Sequence, residues 1–206
     1  MLAAVLHDFN DLRLEDVPLP EAKGEQVLVR VKACGICATD YKAIKGIRRN
    51  VELPAILGHE PSGIVAALGP GATHFREGDE VICSPSRYCG YCQQCRVGNV
   101  HYCEHAMTTG GDGAPEVWPG AFAEYFLVRE NMLYHKPTAV SFEAAAITEP
   151  LSGSWKGLIQ YSQLQVGENV VIIGAGGIGM LCVMVARAAG AGRLIVVDLS
   201  ARSRYR

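Results

Sequence analysis

Residues 168–198 read ENVVIIGAGGIGMLCVMVARAAGAGRLIVVD, and this stretch decides the fold of the second part of the chain. A short apolar run leads into a glycine-rich turn, an apolar segment of helical length and a second apolar run. Gly174, Gly176 and Gly179 follow the G-x-G-x-x-G spacing, which alone is a weak signal. Here the spacing lies between a predicted strand and a predicted helix, and Asp198 follows about twenty residues later. The stretch therefore predicts the first strand, helix and second strand of an α/β dinucleotide-binding domain.

Each of these residues has a physical role toward a dinucleotide. The first glycine makes the turn, the second lets the pyrophosphate approach the backbone, and the third lets the helix pack on the strand. The N-terminus of the helix adds partial positive charge. The carboxylate of Asp198 is placed to hold the ribose 2′-hydroxyl and to repel a 2′-phosphate, which favours NAD. Arg202 keeps NADP open as the alternative.

The residues before this stretch predict a β-rich region with many turns. EQVLVRVKA, at 25–33, alternates with period two, and three further short apolar runs are SGIVAAL, DEVICS and GAFAEYFLV. The pattern becomes helical at Ser141, a good N-cap, and we expect Pro150 to interrupt that helix before WKGLIQYSQL resumes it. We place a domain boundary between residues 151 and 152.

Composition excludes several classes of protein. The 206 residues carry a formal charge of −2 with no long run of one sign, so no electrostatic footprint for nucleic acid is present. Polar residues interrupt every apolar stretch before a membrane span could form. The start, MLAAVLHDFN, lacks the positive region of a signal peptide. We therefore expect a cytoplasmic protein with neither nucleic-acid nor membrane partners.

Four of the eight cysteines lie close together in CGYCQQCRVGNVHYC. Zinc prefers four tetrahedral ligands, and cysteines two residues apart can turn back onto one ion. Four thiolates fill the coordination sphere and leave no position for a substrate, so we predict a structural zinc site. The predicted ligands are Cys89, Cys92, Cys95 and Cys103. His101 and His105 are competing ligands, and a disulfide pair is the alternative.

A second set of metal-binding residue types is weaker when each member is taken alone. Cys37 lies in GICATD, and His59 and Glu60 lie in GHEPSG. A lone cysteine is usually buried packing, and a lone histidine is usually a surface or core residue. Cys34 and Cys37 also form a C-x-x-C, which allows a thiol redox pair as an alternative interpretation.

The order of the motifs carries a resemblance. GICATD, GHE, the four-cysteine segment and GAGGIG follow one another as in the zinc-containing medium-chain dehydrogenase/reductase family, and the chain resembles its sorbitol (polyol) and threonine dehydrogenase branch. The resemblance implies a β-rich GroES-like catalytic domain, 1–151, followed by the start of a Rossmann domain, 152–206. It also implies one catalytic and one structural zinc, NAD as the cofactor, and a small-molecule alcohol or polyol as the substrate. We expect the full-length protein to form a homo-oligomer, either a dimer or a tetramer.

The resemblance further implies the catalytic ligands. Cys37 and His59 would hold the catalytic zinc, with Glu60 as a nearby or exchanging ligand. Many alcohol dehydrogenases have a cysteine as the third ligand where this chain has Glu149, in TEPLSGSW, and the polyol and threonine enzymes similarly place a glutamate there. Thr39 matches the hydroxyl that passes the substrate proton on. Lys42 stands where relatives carry a relay histidine, so the relay beyond Thr39 is open to lysine or to solvent.

Only a strand, a helix and a strand of the second domain are present, where a dinucleotide-binding fold needs five or six strands. We expect an incomplete Rossmann domain that cannot transfer a hydride alone. The leading interpretation is an NAD-dependent zinc oxidoreductase acting on a secondary alcohol or polyol, with an amino alcohol also open. The alternative is a non-catalytic zinc-binding structural or interaction module derived from such an enzyme.

Overall fold

The structure is a computed structural model that describes residues 1–110 and 116–200. The chain divides into two compact units, Met1–Ile147 and Thr148–Arg206. The boundary predicted between residues 151 and 152 falls a few residues later and stays a prediction. Arg202, named above for the NADP alternative, lies outside the described residues.

The first unit is rich in strands, as the turn-punctuated sequence predicts. Its strands are β1 Leu2–Asp8, β2 Asp11–Asp16, β3 Gln26–Gly35, β4 Ala55–Ile56, β5 Glu60–Leu68, β6 Glu80–Cys83, β7 Ser86–Arg87, β8 Met107–Thr109, β9 Glu116–Trp118, β10 Tyr125–Arg129 and β11 Leu133–His135. Its helices are α1 Ala38–Ile44, α2 Gln93–Arg96 and α3 Phe142–Ala146, with 3-10 turns at Val100–Tyr102 and Glu130–Met132.

The main sheet of this unit has the strand order β10-β3-β5-β6-β11 and is antiparallel throughout. The predicted strand at EQVLVRVKA is β3, and the other three apolar runs are within or overlap β5, β6 and β10. Val27, Leu28 and Val29 are all buried, so this part of β3 is covered on both faces. Val65, Val81, Phe126 and Val128 join them in the core. The paired strands β3 and β5 therefore end at the segments that contain Cys37, His59 and Glu60.

Two smaller sheets flank this core. Their strand orders are β2-β1-β4 and β7-β8-β9. Leu6 of β1 packs with Ala43 of α1 and with Leu57, and these three residues form a second core cluster. Leu57 lies two residues before His59 in the sequence. This cluster fixes α1 against the segment that leads into β5.

The second unit contains α4 Thr148–Trp155, a π-helical turn Lys156–Tyr161, β12 Val170–Ile173, α5 Gly177–Ala188 and β13 Leu194–Val197. β12 and β13 pair in parallel, with α5 between them in the chain, as the strand–turn–helix–strand pattern predicts. Ile172 is buried and Ile173 is 88% exposed, because neighbouring residues of a strand point to opposite faces. The described part of this unit thus covers one face of β12 and leaves the other apolar face exposed.

The prediction that Pro150 interrupts a helix is wrong. The break comes earlier, at Ile147, which ends α3, and Pro150 lies in the first turn of α4. Proline is tolerated there because the first N–H groups of a helix have no partner within it. Among the described residues, no helix is both long enough and apolar enough to span a membrane.

Candidate metal centres

The four cysteines of the predicted structural zinc site come together. Their sulfur atoms all lie within 4.8 Å of one another, with Cys89 Sγ 3.9 Å from Cys95 Sγ and Cys92 Sγ 4.0 Å from Cys103 Sγ. A tetrahedral ion with zinc–sulfur bonds of about 2.3 Å places its sulfurs about 3.8 Å apart. The cluster therefore has the size of a Zn(Cys)4 site, and neither His101 nor His105 belongs to the described donor set.

Backbone N–H groups support these sulfurs. Cys89 N donates to Cys103 Sγ at 3.2 Å, Cys92 N donates to Cys89 Sγ at 3.3 Å, and His105 N donates to Cys103 Sγ at 3.3 Å. Hydrogen bonds from backbone N–H groups lower the pKa of Cys92 to about 6. Burial, followed by hydrogen bonding to its neighbours, raises the pKa of Cys95 to about 12. Four thiolates repel one another without a cation between them, and a bound zinc would remove that conflict.

Cys37, His59 and Glu60 form a second donor set, again within 4.8 Å. Cys37 is the N-cap of α1, just after β3 ends, and Glu60 is the first residue of β5. Gly35 pairs with Glu60 across the two strands. A side chain at Gly35 would collide with the Glu60 carboxylate where it now lies, so glycine lets the carboxylate keep this position in the donor set. Sulfur, imidazole and carboxylate are all ligands of zinc, and three of them leave a fourth position open.

Asp40 is a site residue that the sequence analysis missed. It is 2% exposed, and its Oδ1 lies 3.4 Å from His59 Nδ1. Its Oδ2 accepts the Cys37 N–H at 2.8 Å, which closes a capping box at the start of α1. The pair with Asp40 is the main reason that the pKa of His59 rises to about 9 in the metal-free site. Because Asp40 takes the Nδ1 side, Nε2 is the nitrogen that we expect to face a metal. The signal that could have found it is its position three residues after a ligand-type N-cap residue.

Burial determines the chemistry of the neighbouring acids and thiols. It raises the pKa of Glu60, which is 6% exposed, so a nearby cation is needed to stabilise its charged form. It also raises the pKa of the Cys34 thiol to about 12. A thiol that stays protonated is a poor nucleophile, which argues against the alternative of a Cys34–Cys37 redox pair.

Thr39 and Lys42 lie on α1. Thr39 Oγ1 is 3.5 Å from His59 Nε2, at the donor set, whereas the Lys42 side chain is exposed. Glu149, the predicted further ligand, lies in the first turn of α4 and belongs to the second unit. Its place in the ligand set stays a prediction.

The predicted cofactor loop has the expected backbone features. Gly174 has a φ of +102°, which favours glycine, and a side chain at Gly179 would collide with the Gly174 carbonyl. Gly176 is the N-cap of α5 and faces open space. Asp198 Oδ2 accepts the Ala175 N–H at 2.7 Å, so this carboxylate also braces the loop.

The chain has relatives among known proteins. Residues 23–138 match the family model described as "Alcohol dehydrogenase GroES-like domain". Sorbitol dehydrogenase of Bacillus subtilis (strain 168) is 36% identical over 202 residues, which are 97% of this chain and 56% of that protein. L-threonine 3-dehydrogenase of Bacillus velezensis is 36% identical over 188 residues, which are 90% of this chain and 52% of that protein.

A solved structure gives the same relationship. A candidate zinc-binding dehydrogenase of Sinorhizobium meliloti 1021, solved with NADP bound, has a TM-score of 0.89 and 32% sequence identity. The match covers 99% of this chain and 58% of that one. The chain thus spans about half the length of the curated relatives that it matches.

Proposed function

Because the chain belongs to the alcohol dehydrogenase GroES-like domain family of zinc-containing dehydrogenases, we propose that its protein oxidises a secondary alcohol or polyol with NAD as the hydride acceptor. The observation that carries the proposal is the difference between the two donor sets. Four cysteines fill one site, whereas Cys37, His59 and Glu60 supply three donors and leave a position for a substrate oxygen.

The residues of this chain have distinct parts in the proposed reaction. A bound zinc would supply Lewis-acid polarisation of the substrate hydroxyl, and a bound nicotinamide would accept the hydride. Cys37 and His59 would hold the metal, and Asp40 would orient His59 through Nδ1. Thr39 Oγ1, at the donor set, is placed to take the proton that the substrate loses and to pass it to solvent or toward Lys42.

Three finer assignments belong to the same proposal. We assign Glu149 as a zinc ligand that exchanges with Glu60, so that one position stays open for the substrate, on the resemblance of TEPLSGSW to the polyol and threonine enzymes. Gly174, Gly176 and Gly179 bind the pyrophosphate, supported by the open space at Gly176. Asp198 selects NAD, although the related Sinorhizobium structure holds NADP. We also propose that the full-length protein is a homo-oligomer and that it is cytoplasmic, on the features of the sequence alone.

The test is a screen of cofactor reduction with the purified full-length protein. Polyols, secondary alcohols and amino alcohols are compared with NAD and with NADP, and zinc is counted per chain. We expect two zinc ions and turnover of at least one class with NAD. Cys37→Ser should retain one zinc and lose turnover, whereas the matched variant Cys182→Ser, at a cysteine outside both donor sets, should keep two zinc ions and turnover.

The same screen separates the alternative. A non-catalytic zinc module predicts no turnover with any substrate class or either cofactor, whether the protein holds one zinc or two. Turnover that persists in Cys37→Ser would contradict the assignment of the active metal site.

A further inference from the structure

We propose that Lys136 and Ser62 are positioning residues that hold α3 behind the three-donor metal site, and so set how tightly that site retains its metal. The inference rests on metal binding by Cys37, His59 and Glu60, and not on which alcohol the protein oxidises.

Lys136 is a buried cation outside the metal sites. Its side chain is 3% exposed, and its Nζ lies 2.9 Å from Glu80 Oε2 and donates to the carbonyl oxygens of Pro137 and Val140. Nζ also lies 5.0 Å from the centre of the Phe142 ring, on the first residue of α3. An ammonium group is buried only where acceptors replace water. These acceptors lie on β6 and on the turn before α3, so the ammonium ties that turn to the sheet.

Ser62 makes the second tie. It is 1% exposed, and its Oγ donates to the Phe142 carbonyl oxygen at 2.6 Å. In the sheet it pairs with Ala33 of β3 on one side and with Ile82 of β6 on the other. The start of α3 is therefore bonded directly to β5, two residues beyond Glu60.

α3 lies against the two strands that lead to the metal donors. It packs against both β3 and β5, and Ala145 and Ala146 are 0% and 4% exposed. β3 ends two residues before Cys37, and β5 begins at Glu60. Donor atoms must be held to within about 0.5 Å to bind a metal well. Gly35 and Glu60 keep the two strand ends paired, so loosening α3 would let this paired end shift relative to α1, which begins after Cys37, and would spoil that geometry.

The test uses Lys136→Met, which keeps an apolar side chain of similar length, and Ser62→Ala. Zinc release from each site is followed with a chelator, and cobalt(II) is used as a spectroscopic probe of the three-donor site. We expect each variant to release zinc from the three-donor site about two- to tenfold faster, which is less than the 10–100-fold loss of affinity typical when a hydrogen bond to a ligand itself is removed. Release from the four-cysteine site should be unchanged, and the visible cobalt spectrum should shift.

Glu130→Gln is the matched control, since it also removes a buried charged contact of the first unit but one made to His74. The double variant Lys136→Met/Ser62→Ala should show less than the sum of the two effects, because both ties hold the same turn.

Unchanged release in both single variants would overturn the proposal, and so would equal acceleration at both zinc sites or in Glu130→Gln. If Lys136→Met does not fold, Ser62→Ala decides alone. A wild-type protein that binds two zinc ions without any turnover would refute the proposed function and leave this measurement intact.

Discussion

Among single residues, Asp40 contacts two of the three members of the three-donor site. It accepts the Cys37 N–H and faces His59 Nδ1, so one buried carboxylate orients two ligands. We expect Asp40→Asn to weaken zinc binding at this site by about 10–100-fold, because its amide NH2 must face one of these N–H groups. The measurement is competition with a chromogenic chelator.

The control for this prediction is Asp79→Asn. Asp79 likewise accepts a backbone N–H, that of Arg76, in the turn before β6. It should leave the affinity of both zinc sites unchanged. Equal zinc affinity in Asp40→Asn and the wild type would show that Asp40 does not position the ligands.

The metal donors could be predicted from their motifs, whereas the spacing of Asp40 from Cys37 suggested at most a helix cap and not its contact with His59. Cys37, His59 and Glu60 are residue types that zinc binds, and their motif order suggested one site before any distance was known. Asp40 acts through burial and through its distance to a residue nineteen positions later in the chain. Nothing in the sequence pattern gives either quantity.

Among the elements, two hydrogen bonds join the turn Glu130–Met132 to the loop that contains His74. Both carboxylate oxygens of Glu130 accept from His74, one from its N–H and one from Nδ1. Burial opposes ionisation, but the hydrogen bonds from His74 and Thr73 outweigh it and hold the pKa of Glu130 below its usual value. A depressed carboxyl pKa stabilises the fold above the unfolded pKa of about 4.3, and this stability is lost as the pH falls through the folded pKa.

We therefore expect Glu130→Gln to be less stable than the wild type at pH 7, with a gap that closes as the pH falls below about 4.3. Urea midpoints measured at a series of pH values give the gap directly. Glu124→Gln is the control, since that exposed carboxylate accepts only the Leu2 N–H among its described bonds. A gap that is constant with pH would exclude an ionised Glu130 as the source of the stability.

The strands were predictable because their apolar residues alternate or cluster between turns, as in β3. The residue at which α3 ends could not be predicted in this way. Ile147 carries no breaking signal, and the proline that suggested a break fits the first turn of α4. Local propensity locates elements better than it locates their ends.

For the whole chain, the order of the motifs predicted both the family and the fold. Each motif lies at a turn or at a strand end, either in the β-rich unit or in the parallel strand pair, so the motifs also mark where these elements begin and end. The division of the chain at Ile147 and Thr148 could not be read in the same way. It depends on contacts between residues far apart in the sequence, and a helical pattern runs across it without a change in composition.

The two zinc sites should also differ in how readily they lose metal. The four-cysteine site is closed and its sulfurs accept backbone N–H groups, whereas the three-donor site leaves a position at which a chelator can attack. We expect a mild chelator to remove one zinc per chain at least about tenfold faster than the other, with the melting temperature falling mainly on loss of the second. Metal release and thermal unfolding are recorded on the same samples. Cys95→Ser removes one ligand of the four-cysteine site and should make its rate of zinc release similar to that of the three-donor site. Faster release from the intact four-cysteine site than from the three-donor site would contradict its structural role.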